Sequence, residues 1–166
     1  MDKFINGHFY NPTKGTLTYD EVMKEILSYM KEKSDTHYEV VVGCDSSSGE
    51  DPDFPVVVVV LRKREGGRFF IKKVKYSEKR PFLNFKLRIL QEVLLSCEFG
   101  IFLKKELEEK AKEMNYEFKY IHADIGGNGA TKDMIKEVVG LIQGNGFEPK
   151  IKPEAFAATN VADRYT

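Results

Sequence analysis

The sequence predicts an α/β protein built on a mixed five-stranded sheet, with three antiparallel strands, then parallel strands, and helices on both faces. Three observations predict it. Val56–Leu61 is almost pure valine, and Val40–Val42 is a second β-branched run. A third segment, Arg68–Tyr76, follows after the turn Glu65-Gly66-Gly67, and strands joined this tightly pair antiparallel. Beyond them, Glu117–Ile125 and Phe147–Lys152 alternate with helical stretches, and strands separated by helices favour parallel crossovers.

The elements follow in order. Residues 1–17 carry turn signals at Asn6-Gly7 and Asn11-Pro12 and are expected to be irregular. Thr18 and Glu21 form a capping box, in which each side chain satisfies an orphan N–H near the other. Val22, Ile26, Tyr29 and Met30 then share one helical face, and the helix ends near Lys33. The first strand is Glu39–Asp45, apolar on both faces and so expected at the centre of the sheet. Arg68–Tyr76 alternates imperfectly with Lys72, Lys73 and Lys75, as an edge strand does. A long helix is expected from about Phe82 to Met114, with an interruption near Gly100. A second helix is expected over Thr131–Gln143, stopped by Gly144-Asn145-Gly146. The last residues read as a loop leading to a helical turn that carries Asp163.

The 166 residues suit one domain, 1–166, with an extension over 1–35 and a core over 36–166. Hydrophobic content of 42% and charged content of 31% describe a globular chain. No apolar run approaches the roughly 20 residues that span a bilayer, and the N-terminus lacks the apolar stretch of a signal peptide. Cys44 and Cys97 make neither a disulfide framework nor a zinc pattern, so a reducing, cytoplasmic home is expected. Net charge is +0 but uneven, with eleven basic and two acidic residues between Arg62 and Arg88. That block suits a phosphate-tracking face, or simply lysines guarding an exposed edge.

The chemistry centres on Tyr120–Lys132, YIHADIGGNGATK, where a strand runs into Asp124, then into a glycine-rich loop, then into a helix. Glu39–Gly49, EVVVGCDSSSG, echoes it with a strand ending at Asp45. Ligands of open α/β sheets gather at the carboxyl ends of strands where strand order reverses. If these two strands are parallel neighbours, their carboxylates repel, and a divalent cation resolves the conflict. A third acid, Glu92, falls inside the apolar stripe Phe85, Ile89, Ser96, Phe99 and Leu103. A buried carboxylate needs a cation, a metal or a proton. Arg88, one turn earlier, is a plain alternative partner, and Glu98 at the rim is the fallback acid. The bland reading makes Asp45 and Asp124 caps of their turns, and His122 a satisfied core histidine.

The spacing of the acids in GCDSSSG, QEVLL, HADIGG and ADRYT, set on this order of strands and helices, resembles the ribonuclease H-like superfamily. The phrases HADIGGNGATK and EPKIKPEAFAATNVADRYT resemble the bacterial YkuK-like family within it, over nearly the whole chain after about residue 15. The resemblance implies a ribonuclease H-like fold and a two-metal nuclease site formed by Asp45, Glu92, Asp124 and Asp163. It implies Mg²⁺ or Mn²⁺ as cofactor and RNA or DNA as partner. Ser46, Lys132 and Arg164 are expected substrate contacts by position. Two other readings stand beside it. A catalytically inactive scaffold of the same fold would bind nucleic acid or protein without metal. An actin-like nucleotide-binding domain has similar phosphate loops but needs two copies of the fold.

Overall fold

The computed structural model describes residues 2–47, 51–76, 84–162 and 164. The valine runs set the centre of its sheet. β3 (Tyr38–Cys44) and β4 (Phe54–Arg62) pair antiparallel from Tyr38↔Arg62 to Cys44↔Val56. β5 (Gly67–Val74) pairs antiparallel with the other side of β4. On its free side β3 takes a parallel neighbour, β6 (Tyr116–His122), which in turn pairs parallel with β7 (Glu148–Lys150). The class is the one the sequence predicts.

The sheet has seven strands, not five, in the order β2-β1-β5-β4-β3-β6-β7. The two extra strands lie in the segment expected to be irregular: β1 (Phe9–Asn11) and β2 (Gly15–Leu17), a hairpin preceded by the short helix α1 (Asp2–Ile5). At three residues each, they are too short to give a periodic signal. Their turn was legible. The Asn11 side chain accepts from the N–H groups of Thr13 and Lys14, and Gly15 takes a positive φ of 76°. Asn11 also donates to the Phe69 carbonyl and ties the hairpin to β5.

The hairpin corrects a second expectation. β5 is not an edge, because Tyr10 of β1 pairs with Ile71. Lys72 is buried there, donating to the Asn6 carbonyl with its ammonium over the Phe9 ring. Burial lowers its pKa. It holds the hairpin on the sheet and does not guard an open edge, whereas Lys73 is exposed.

The two faces of the sheet are covered differently. Val40, Val42, Val56, Val58, Val60 and Phe70 pack in one cluster with α2 (Tyr19–Glu32), α3 (Phe85–Lys110) and α4 (Ile135–Gly144). Val41, Val57, Val59 and Ile71 pack in another with a C-terminal π-helix, Ala157–Ala162. Burial on both faces is why the valines do not alternate with polar residues. The Thr18–Glu21 capping box opens α2 as expected, with both hydrogen bonds made.

The long helix begins at Phe85, capped by the Asn84 side chain, and runs unbroken through Gly100 to Lys110. The expected start at Phe82 lies outside the described residues. Gly100 is a packing residue and not a break. A Cβ there would sit 3.0 Å from Ile121 Cδ1 and 3.1 Å from Phe147 Cζ. The missing side chain lets α3 press against β6 and the segment before β7. Gly100→Leu is therefore expected to cost about 1–3 kcal/mol of stability in urea unfolding. Gly100→Ala should stay near neutral, because the facing atoms are side-chain tips and alanine favours the helix by about 1 kcal/mol.

Candidate functional site

Topology brings two acids to one edge. β3 has an antiparallel neighbour on one side and a parallel one on the other, so its carboxyl end lies where strand direction changes. Gly43 pairs with His122 in the parallel register, and Asp45 and Asp124 each lie two residues further on. The sequence reading required parallel adjacency of these strands, and the structure has it.

Asp45 is buried at the end of its strand. Its backbone N–H still donates to Pro55, and its Oδ1 accepts from the Ser46 N–H at 2.9 Å. The following loop is closed by Ser47, whose N–H and hydroxyl both bond to the backbone of Asp53. Ser48, Gly49 and Glu50 lie outside the described residues.

Glu92 comes from α3 and is only 3% exposed, as its place in the apolar stripe implies. Ser46 donates its hydroxyl to Glu92 Oε1 at 2.5 Å, bridging helix and strand end. Burial pushes the Glu92 carboxyl well above its ordinary range. The Ser46 hydrogen bond opposes that, Asp45 and Asp124 add to it, and Arg88 offsets it last and least. Arg88 is therefore not the balancing partner. Its Nε is buried without a hydrogen-bond partner among the described residues, and its guanidinium lies 5.5 Å from the centre of the Phe85 ring. The fallback acid, Glu98, is exposed and pairs with Lys3 at 2.5 Å.

Asp124 is partly exposed and meets Lys152 Nζ at 3.0 Å. No local pattern marks this lysine. The ladder continues past β7, with Ala123 N–H to Lys150 O at 2.9 Å and Lys152 N–H to Ile125 O at 2.8 Å, so Lys152 lies beside Asp124. Downstream, the Thr131 hydroxyl accepts from Gly126 N–H and pins the glycine loop. Lys132 is exposed at the start of a short 3₁₀ turn, Lys132–Met134, and Arg164 is also exposed.

Asp163 lies outside the described residues, but the segment before it is well anchored. A Cβ on Gly43 would fall 2.8 Å from Ala158 N, so the π-helix rests directly on the backbone of β3. His122 is buried, and its Nδ1 accepts from Ala157 N–H at 3.1 Å. Burial, and after it the Lys150 charge, pushes its pKa down to about 4, so the ring is neutral. It serves as an anchor for the C-terminal helix. Cys44 and Cys97 are free and buried. Burial first, and then Glu92 and Asp45, hold the Cys44 thiol far above its ordinary pKa, which leaves it unreactive.

These features match a known family. A family model described as Ribonuclease H-like matches residues 21–166. The chain belongs to the ribonuclease H-like family. A Bacillus subtilis (strain 168) protein named "Uncharacterized protein YkuK" is 26% identical over 176 aligned positions. That alignment covers 99% of this chain and 98% of the relative. No solved structure matches the chain significantly. No helix among the described residues is long and apolar enough to cross a membrane.

The oxygen donors at this strand edge are the carboxylates of Asp45, Glu92 and Asp124 and the Ser46 hydroxyl. These hard oxygens suit Mg²⁺ or Mn²⁺ and not soft metals. Among the described residues, no three Asp, Glu, His or Cys side chains stand close enough together to enclose an ion. All three acids are engaged by protein groups, Asp45 by the Ser46 N–H, Glu92 by the Ser46 hydroxyl and Asp124 by Lys152.

Proposed function

We propose that this protein is a divalent-metal-dependent nuclease that hydrolyses phosphodiester bonds of RNA or DNA. The observation that carries the reading is Glu92. An acid buried in a helix, in the electrostatic field of two strand-end acids, is costly to fold around and does nothing for packing. Active sites are where such arrangements concentrate. Family membership supports the same chemistry.

In this reading Asp45, Glu92, Asp124 and Asp163 hold Mg²⁺ or Mn²⁺. What the ions supply when bound is a nucleophilic water and stabilisation of the leaving oxygen. The chain's own part is positioning. The Ser46 N–H fixes the Asp45 rotamer, and the Ser46 hydroxyl aims Glu92 at the strand ends. Lys132 and Arg164, both exposed, contact substrate phosphates.

The test is cleavage of single-stranded, duplex, hybrid and branched substrates with Mg²⁺ or Mn²⁺, with Asp45→Asn purified in parallel. The wild type is expected to cut at least one class, and the variant to lose about 100-fold or more of that rate. Cleavage equal in both would sink the proposal. The Lys152–Asp124 pair favours one second reading, a catalytically inactive scaffold that needs no metal and binds nucleic acid or protein. Such a scaffold would cut nothing and would bind its partner equally well as Asp45→Asn.

A further inference from the structure

We propose that the outer hairpin and β5 form a groove that takes single-stranded nucleic acid, with Tyr10 stacking on a base and Lys73 holding a backbone phosphate. The proposal rests on the nucleic-acid reading above and adds to it the substrate class and two residues that select it.

The groove lies on the face of the sheet that carries the C-terminal helix. Tyr10 pairs with Thr16 on β2 and with Ile71 on β5, so these three side chains stand on one face. Ile71 packs in the same cluster as the π-helix, which fixes the face. His8 lies two residues before Tyr10 and Lys73 two residues after Ile71, on that same side. With Phe9 these residues line a groove of about 480 Å³. The π-helix contacts β3 and β4. At the hairpin this face is open, with Tyr10 43% exposed and His8, Thr16 and Lys73 exposed beside it.

The lining has the chemistry of a base joined to a phosphate. Ile71 is an apolar floor, the Tyr10 ring is a stacking surface, and Lys73 is a cation. Among the described residues no carboxylate lines the groove. Stacking on a protein ring needs an unpaired base, whereas a duplex keeps its base faces stacked on each other, so single strands are selected.

The three lysines of this segment have different tasks. Lys72 donates to the Asn6 carbonyl, and Lys75 pairs with Asp53 at 3.2 Å. Lys73 is exposed in the groove, in line with the acid edge. It pairs with Pro55, and the Pro55 carbonyl accepts from the Asp45 N–H. Neighbouring strands are about 4.8 Å apart, so the backbones of Lys73 and Asp45 stand roughly 10 Å apart. A strand held in the groove therefore needs only a short further stretch to reach the carboxylates. An exposed tyrosine alone is ordinary on a protein surface. Its place beside an exposed lysine in register with Asp45 is what points to a substrate.

The experiment measures fluorescence anisotropy of labelled oligouridylate, oligodeoxythymidylate and a blunt DNA duplex with the full chain in chelator. Binding is then read without cleavage and without metal. Wild type is expected to bind at least one single strand about tenfold or more tighter than the duplex, and the ratio of the two single strands separates RNA from DNA. Tyr10→Phe keeps the ring and should stay within about twofold of wild type. Tyr10→Leu keeps apolar bulk on the hairpin but loses the ring, and should weaken single-strand binding about fivefold or more. Lys73→Gln should weaken it about three- to tenfold and lower the salt slope by about one, while Lys73→Arg stays near wild type. Single strands bound equally by wild type, Tyr10→Leu and Lys73→Gln would overturn the groove. So would a duplex bound as tightly as either single strand, or no binding of any probe. The nuclease reading is judged separately, by metal-dependent cleavage that Asp45→Asn loses. Such cleavage at wild-type rate in both groove variants would remove the groove and leave the nuclease. Groove binding without any cleavage would remove the nuclease and leave the groove.

Discussion

Glu92→Gln is expected to make the protein more stable and inactive at once. The Glu92 carboxyl is 3% exposed, and burial raises its pKa well above the ordinary 4.5. The sign follows from linkage. Below about pH 4.5 the group is protonated in both folded and unfolded chains and costs nothing. As pH rises from there towards the folded-state value, the unfolded chain releases its proton first, and folding stability falls. Glutamine carries no such penalty and can still accept from Ser46. In chelator, the variant should match wild type near pH 4 and exceed it by about 1–3 kcal/mol at pH 8 in urea unfolding. Saturating Mg²⁺ should offset that gap by stabilising wild type, by about 2.7 kcal/mol at a concentration of 100 Kd. Phosphodiester cleavage should fall about 100-fold or more. A variant less stable than wild type at pH 8 in chelator would mean that the carboxylate is ionised and well satisfied without metal.

That trade of stability for charge is also why part of the site was legible in the sequence. Glu92 broke a helical apolar stripe, and a polar residue where packing wants an apolar one is visible without coordinates. Asp45 and Asp124 were legible because each ends an apolar strand at a glycine- or serine-rich turn. The central valines were legible because double-sided burial leaves a continuous apolar run. Lys152 was invisible. It meets Asp124 only through the register of two parallel strands 28 positions apart, and nothing in the local pattern marks it among the other lysines. The hairpin of β1 and β2 was missed because strands so short are held by tertiary partners, Asn11 to Phe69 and Tyr10 to Ile71. Gly100 was misread for the same reason. Its cost to the helix is local and readable, whereas its benefit lies in Ile121 and Phe147 across the interface.

Gly43 repeats that lesson closer to the site, and Gly43→Val should have the larger effect. Valine is a better strand former than glycine, so local propensity alone predicts a gain. The space predicts the opposite. A Cβ at this position would lie 2.8 Å from Ala158 N, and 3.1 Å from both the carbonyl carbon and Cβ of Ala157. The nearest of these are backbone atoms, which cannot rotate away. β3 cannot yield either, since it is paired with β4 on one side and β6 on the other. The π-helix must therefore lift. Lifting separates Ala157 N–H from His122 Nδ1 and leaves a buried imidazole without that partner. The expected cost is about 1–3 kcal/mol in urea unfolding, with faster amide hydrogen exchange confined to the Ala157–Ala162 helix. Cleavage should fall about 100-fold although Asp45, Glu92 and Asp124 are untouched, because the displaced helix leads directly into Asp163. Gly43→Val with wild-type stability and unchanged exchange at Ala157 would show that the C-terminal helix does not rest on β3.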